Sequence, residues 1–285
     1  MRIWLPVAAA LLAIQALPAQ AERDPLSGAP IRPSKKHETP SPITDRFYVR
    51  GTFFPAALQT SLRVDPHNGV PGALGTPVSG ERDLGFDGRT PQGRIELMFR
   101  MRSRSKLRVD YFETDRNGDR VLARQIVFGD QTFNVADRAT SSLDWRAFTL
   151  AYTYSFVRND RLEIGAGLAV HFLQADARAA VASRQVQQEV SGAGAFPTIP
   201  LDFAWRISRR FALTARAQYF HASVNNFEGS VGDYHADVQY RWKPNFALGM
   251  GYTIMKWSLD VNDASFPGVF RLSASGPEAF FRVSF

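Results

Sequence analysis

The sequence predicts an all-β chain closed into an antiparallel transmembrane barrel of about 12 strands, with roughly 10 or 14 as alternatives. Three observations predict it. In the final residues, Ala279, Phe281, Val283 and Phe285 share one parity, while Phe280, Arg282 and Ser284 take the other. A period of two ending on an aromatic side chain suits a strand with lipid on one face and a polar lumen on the other. Segments of the same alternation recur from Arg46 onward. The connections between them alternate between short, turn-forming stretches and longer ones.

The start of the chain predicts export. Arg2 precedes an apolar run from Leu5 to Leu17, followed by Ala19-Gln20-Ala21. A charged start, a short apolar run and an A-x-A site mark 1–21 as a secretory signal peptide of bacterial type, cleaved after Ala21. The run is shorter than the roughly 20 residues of a spanning helix. Residues 22–44 are polar and carry Pro25, Pro30, Pro33, Pro40 and Pro42, which predicts a flexible periplasmic segment. The barrel domain is expected over 45–285.

The clearest strand segments are Arg94–Met101, Lys106–Phe112, Phe148–Phe156, Leu162–Phe172, Leu201–Ile207, Phe211–Tyr219, Tyr234–Trp242, Phe246–Ile254 and Val269–Phe285. Phe47–Val64, with a kink at Pro55, Val78–Phe86 and Val121–Phe128 complete the set. Short turns are expected at 87–91, 116–119, 158–160, 208–210 and 243–245, where Gly, Asn, Asp, Ser and Pro supply turn chemistry. Longer loops fall at 65–77, 129–140, 177–189, 225–229 and 261–268, with Ser103-Arg104-Ser105 as the one exception to the alternation. Short turns on the periplasmic side and long loops outside are the outer-membrane pattern.

Composition agrees with export. There is no cysteine, and 12% of residues are aromatic, 22 of them Phe. Losing Arg2 with the leader leaves 33 basic against 27 acidic residues, a net charge of +6. Both signs alternate along the same segments, as in Lys106-Leu107-Arg108-Val109-Asp110, so no basic stripe suits nucleic acid. On the lipid parity lie Ile95, Leu97, Phe99, Phe148, Leu150, Tyr152, Tyr154, Phe156, Leu162, Ile164, Leu168, Val170, Leu201, Phe203, Trp205, Tyr234, Val238, Tyr240, Trp242, Phe281, Val283 and Phe285. The opposite parity assigns to the lumen Arg94, Glu96, Arg100, Lys106, Arg108, Asp110, Arg146, Glu163, His171, Asp202, Arg206, Arg216, His235, Asp237, Arg241, Glu278 and Arg282. A charge facing lipid at mid-depth costs roughly 2–4 kcal/mol, which makes this sorting a strong constraint.

Three patterns could carry chemistry. His221-Ala222-Ser223, with Glu228 and Asp233 nearby, offers the residue types of a Ser/His/acid hydrolase at a predicted outer strand end. The His-x-Ser spacing resembles that of outer-membrane lipid A deacylases over those two residues, with the following Asn displaced to Asn225. Asp115-Arg116-Asn117-Gly118-Asp119 imitates the start of a calcium loop, but its twelfth position is Ile126, so it reads as a hairpin turn. His171 and His235 would have to meet across distant strands to hold a metal. No metal or cofactor is therefore expected.

With Ala19-Gln20-Ala21, the alternating segments, the loop alternation and the terminal Phe281-Arg282-Val283-Ser284-Phe285, the chain resembles mid-sized, porin-like bacterial outer-membrane β-barrel proteins. The resemblance implies insertion among outer-membrane lipid and lipopolysaccharide. It also implies recognition of Phe281, Val283 and Phe285 by the barrel-assembly machinery. A monomer is the expected state. The leading function is a small passive pore or structural envelope protein with a charged lumen. A lipid hydrolase using His221 and Ser223 comes second, and a surface adhesin third.

Overall fold

The computed structural model describes residues 40–66, 73–224, 227–261 and 268–285. The leader and residues 22–39 lie outside that range. Among the described residues thirteen strands occur in chain order: β1 (Phe47–Val64), β2 (Val78–Ser79), β3 (Arg89–Arg100), β4 (Ser105–Val121), β5 (Ile126–Phe128), β6 (Gln131–Phe133), β7 (Arg138–Arg158), β8 (Leu162–Val181), β9 (Val186–Arg206), β10 (Phe211–Val224), β11 (Phe227–Lys243), β12 (Phe246–Val261) and β13 (Gly268–Ser284). One helical turn, α1 (Gly80–Asp83), follows β2. Ten long strands form an antiparallel meander, and β13 closes it by pairing with β1 from Tyr48–Ser284 to Val64–Gly268. No helix among the described residues is long and apolar enough to cross a membrane.

Ten barrel strands stand where about 12 were expected, the lower of the two alternatives. The two surplus segments belong to a cap. Val78–Phe86 forms only a two-residue strand on β1 before Ser79 accepts a hydrogen bond from the Arg82 amide and caps α1. Val121–Phe128 ends β4 and enters the small β5–β6 hairpin. Their apolar side chains Val78, Leu84, Phe86, Leu122, Ile126 and Phe128 are buried together against the inner wall at Leu62, Leu143 and Val181. Packing against the barrel, rather than membership of it, accounts for their alternation.

Two expected turns move as well. Residues 116–119 lie inside β4 and pair with β7 through Asn117–Ser142, Gly118–Ser141 and Asp119–Thr140. Residues 87–91 run straight into β3, with Pro91 opposite Pro55, and β1 passes through Pro55 as one strand. The 103–105 exception then disappears, because that stretch belongs to a tight turn on the same end as 159–161, 207–210 and 244–245. In two of these turns a side-chain oxygen takes backbone amides. Asn159 Oδ1 accepts from Arg161 and Leu162 at 2.9 and 2.8 Å, and Ser208 Oγ accepts from Arg210 and Phe211 at 3.2 and 3.1 Å. All four share an end with Phe47 and Phe285, the terminal end. The expected loop at 177–189 shrinks to 182–185, because β8 and β9 run to Val181 and from Val186.

The outer face carries a continuous apolar belt. On β7 it runs from Phe148 to Phe156, and it continues through Ile95, Leu97, Phe99, Leu201, Tyr219, Tyr252 and Phe281. Trp205, Trp242, Phe156 and Phe285 ring the terminal end, Phe285 with 67% of its surface exposed. The strands outrun the belt. β7 and β9 have 21 residues each, whereas a tilted strand crosses a bilayer in about 9–11. Beyond the belt the outward positions of β4 and β7 turn polar: Glu113, Asp115, Asp144 and Arg146.

Candidate functional site

The interior has two tiers. At the terminal end and mid-depth, inward positions of strands all around the barrel supply a buried lattice of ion pairs. Arg50 bridges β11 and β13, reaching Asp237 at 3.0 Å and Glu278 at 2.6 Å. Arg216 reaches Glu96 at 2.8 Å and Asp110 at 3.4 Å. Arg108 and Lys106 share Asp202, at 2.9 and 3.2 Å, and Lys106 continues to Glu163 at 3.6 Å. Arg94, Asp233, His235 and Glu278 form the upper edge, with His235 2.8 Å from Asp233 and 3.4 Å from Glu278. Arginine dominates because its planar fork reaches two carboxylates at once. The guanidiniums also lie on rings, Arg50 over Phe280 at 3.7 Å and Arg282 over Tyr48 at 3.6 Å.

Residues just before β1 close the terminal mouth. A tight turn, with the Asp45 amide bonded to the Ser41 carbonyl at 3.0 Å, buries Ser41, Ile43 and Asp45. Asp45 accepts from Arg241 at 2.7 Å, Arg282 at 2.6 Å and Ser284 at 2.9 Å. Arg158 donates to the Ile43 carbonyl at 3.0 Å, and Arg100 to that of Asp45 at 3.2 Å. The end of the segment expected as a flexible arm is thus seated in the barrel.

Most of the residues assigned to the lumen meet in this lattice, among them Arg94, Glu96, Arg100, Arg108, Asp110, Glu163, Asp202, Arg216, Asp237, Arg241, Glu278 and Arg282. Arg206 sits half-buried near the terminal end of β9. Arg146 does not join them. It is exposed opposite Glu113, because β7 turns its odd positions inward and Arg146 shares the parity of Phe148. The sequence reading missed Arg50 and Asp45. For Arg50 a signal existed, since Tyr48, Arg50 and Thr52 alternate with Val49, Gly51 and Phe53. Asp45 precedes the strand, where no period could mark it.

Above the lattice, His171 is tied to Thr149 through Nδ1 at 2.8 Å and to Thr198 and Gln218 through Nε2, each at 3.0 Å. Its ring stands edge-on to Trp257 at 5.3 Å. His171 and His235 therefore serve separate sets. Over this floor the second tier is an apolar chamber of about 270 Å³, lined by Trp145, Leu173, Val190, Phe196, Trp257, Phe270 and neighbours without any charged side chain. Trp145 stacks on Phe270 at 5.0 Å and meets Trp257 edge-on at 5.7 Å.

The hydrolase candidates lie elsewhere. His221 and Ser223 are exposed near the loop end of β10, opposite Ser230 and Glu228 of β11. Among the described residues no hydrogen bond joins His221, Ser223 and Glu228. Asp119 is paired on the surface with Arg138 at 2.8 Å. Phe281, Val283 and Phe285 face outward on β13 and its end.

No family model matches the chain, and no curated protein matches it significantly. Solved structures do. The outer-membrane protease OmpT of Escherichia coli superposes with a TM-score of 0.50 at 13% identity, covering 84% of this chain and 96% of that one. Ail, the attachment invasion locus protein of Yersinia pestis, gives 0.38 at 9% identity over 83% and 99%. The outer-membrane protein OprG of Pseudomonas aeruginosa gives 0.33 at 13% over 84% and 95%. The OmpT likeness establishes the fold: a closed β-barrel of the bacterial outer-membrane type.

Proposed function

We propose that this protein is a sealed envelope barrel of the outer membrane, exported by its leader and held in the bilayer by its apolar belt. Of the two forms of the leading expectation, the geometry favours the structural one over the passive pore. The observation that carries this is the lattice from Asp45 to Arg94, which fills the terminal half of the lumen with paired side chains and is stoppered by Ser41 and Ile43. An aqueous pore needs charges that stay hydrated, whereas these are nearly all turned to one another. Arg50, Arg94 and Arg216 are each held by partners on two other strands, so the lattice also braces the wall. The exposed aromatic end at Phe281, Val283 and Phe285 supports recognition by the barrel-assembly machinery, and the belt supports contact with lipid and lipopolysaccharide. Among the described residues His221, Ser223 and Glu228 share no hydrogen bond, which argues against that Ser/His/acid arrangement.

Planar-bilayer recording on the purified chain tests this. The native protein is expected to give no conductance steps at any voltage, while Arg50→Ala combined with Arg216→Ala opens a leak in barrels that still show heat-modifiable gel mobility. Steady ohmic conductance from the native protein would overturn the sealed reading and restore the pore.

A further inference from the structure

We propose that the outer chamber binds a single-chain lipid, a long alkyl chain with one oxygen-bearing head group, and that the chain enters from the membrane through a seam between β9 and β10. The wall is not laddered throughout. The β9–β10 register runs from Arg206–Ala212 to Ile199–Tyr219 and stops there, although β9 continues back to Val186 and β10 on to Val224. The outer edges of both strands are ordered by their other neighbours, β8 as far as Val181–Val186 and β11 as far as Val224–Phe227. Pro197 and Pro200 contribute no amide to either ladder, and Ser191-Gly192-Ala193-Gly194-Ala195 presents little side chain to bridge the gap.

The seam joins the chamber to the belt. Gly192, Ala193 and Gly194 on its β9 lip line the chamber, and Phe220 on the β10 lip packs against the same apolar cluster. The last laddered pair, Ile199 and Tyr219, faces outward at the upper edge of the belt, 60% and 56% exposed. An alkyl chain can therefore pass from lipid to chamber over Ile199, Pro197 and the Gly-Ala lip of β9, with His221 the polar residue on the facing β10 lip. An apolar cavity of about 150 Å³ suffices for benzene, so the 270 Å³ here accommodates a larger hydrocarbon body. The head group follows from two orphans. The indole N–H groups of Trp145 and Trp257 are buried among apolar side chains without an acceptor, and a buried indole N–H usually finds one. A carboxyl or hydroxyl oxygen on the ligand supplies it.

The test uses the mature chain refolded in detergent with Trp205→Phe and Trp242→Phe, which leaves Trp145 and Trp257 as the emitting tryptophans. Dibromostearic acid is expected to quench them saturably at one equivalent, and a brominated alkane of the same length to bind more weakly for want of an acceptor. Ala175→Phe, which fills the chamber, is expected to abolish the quenching in a barrel that keeps its heat-modifiable mobility. The chain has no native cysteine, so His221→Cys with Pro197→Cys can be bridged by a bis-maleimide across the seam. Bridging is expected to prevent quenching on mixing. Absence of saturable quenching would sink the binding site. Undiminished, equally fast quenching in the bridged protein would keep the site but overturn the membrane route in favour of the aqueous mouth. Neither result bears on conductance, so the sealed-barrel reading stands or falls separately.

Discussion

Arg100 holds Glu163 through two hydrogen bonds, 2.7 and 3.0 Å long, from a guanidinium on β3 to a carboxylate on β8 across the barrel interior. Strands that never pair in the sheet are thus connected through the lumen. Removing one member of a buried pair leaves the other charged and unpartnered, at a cost of about 3–5 kcal/mol. Glu163→Ala is therefore expected to destabilise the folded barrel by about that amount in urea titrations. Glu163→Ala with Arg100→Ala should lose less than the sum of the two single changes. Strict additivity would show that the pair is not coupled.

Gly118 reads as a turn residue because Asn precedes it, yet it lies mid-strand. A Cβ there would collide with the Leu84 carbonyl oxygen, where the cap crosses β4. The obstacle is backbone and cannot rotate away. Gly118→Ala is expected to cost about 1–3 kcal/mol, the range for overpacking, and to loosen the cap while leaving the membrane-embedded ladders intact. Hydrogen exchange should rise at α1 and β2 in the variant. Unchanged protection at both would contradict the contact.

The same residue shows what was legible in the chain. Alternation exposed the terminal strand, the belt and most of the lattice, because burial by lipid outside and by charge inside imposes opposite chemistry on successive residues. It failed where that contrast is absent. Val78–Phe86 and Val121–Phe128 alternate because they pack on the inner wall. The outer halves of β8 and β9, past Leu173 and before Ala195, rise above the belt outside and line an apolar chamber inside, with Gly and Ala blurring the period. The chamber itself is assembled from seven barrel strands, so no local pattern could announce it.

Asp115, Asp144 and Asp176 are direct cross-strand neighbours on β4, β7 and β8, all above the belt. Like charges directly opposite one another destabilise a sheet. Asp144→Asn is expected to raise stability by about 0.2–1 kcal/mol, with the gain shrinking in high salt as screening weakens the native repulsion. A destabilised variant would mean that the row serves some attraction.

The cap has a pH dependence of its own. Partial burial pushes the Asp83 carboxyl up, but hydrogen bonds from Arg124 and the Ser79 amide outweigh it and hold the group below the ordinary carboxylate value. A depressed folded value contributes stability above the unfolded pKa of about 3.9 and loses it as pH falls through the folded value. Hydrogen exchange at α1, corrected for intrinsic rates, should therefore accelerate below about pH 4. Asp83→Asn should flatten that acid limb. A persistent limb in the variant would assign it to another carboxylate.

The halted β9–β10 ladder gives the barrel a mechanical asymmetry. Its terminal half is a closed hoop, in which no strand can move without breaking hydrogen bonds on both sides. Its outer half is interrupted there and again beside β4, where the β3 ladder stops at Gly93–Glu113 and the cap lies against the strand instead. Movement at the outer rim can be taken up at the slit with the terminal ladders unbroken. The rim can thereby change shape while the embedded half keeps its diameter.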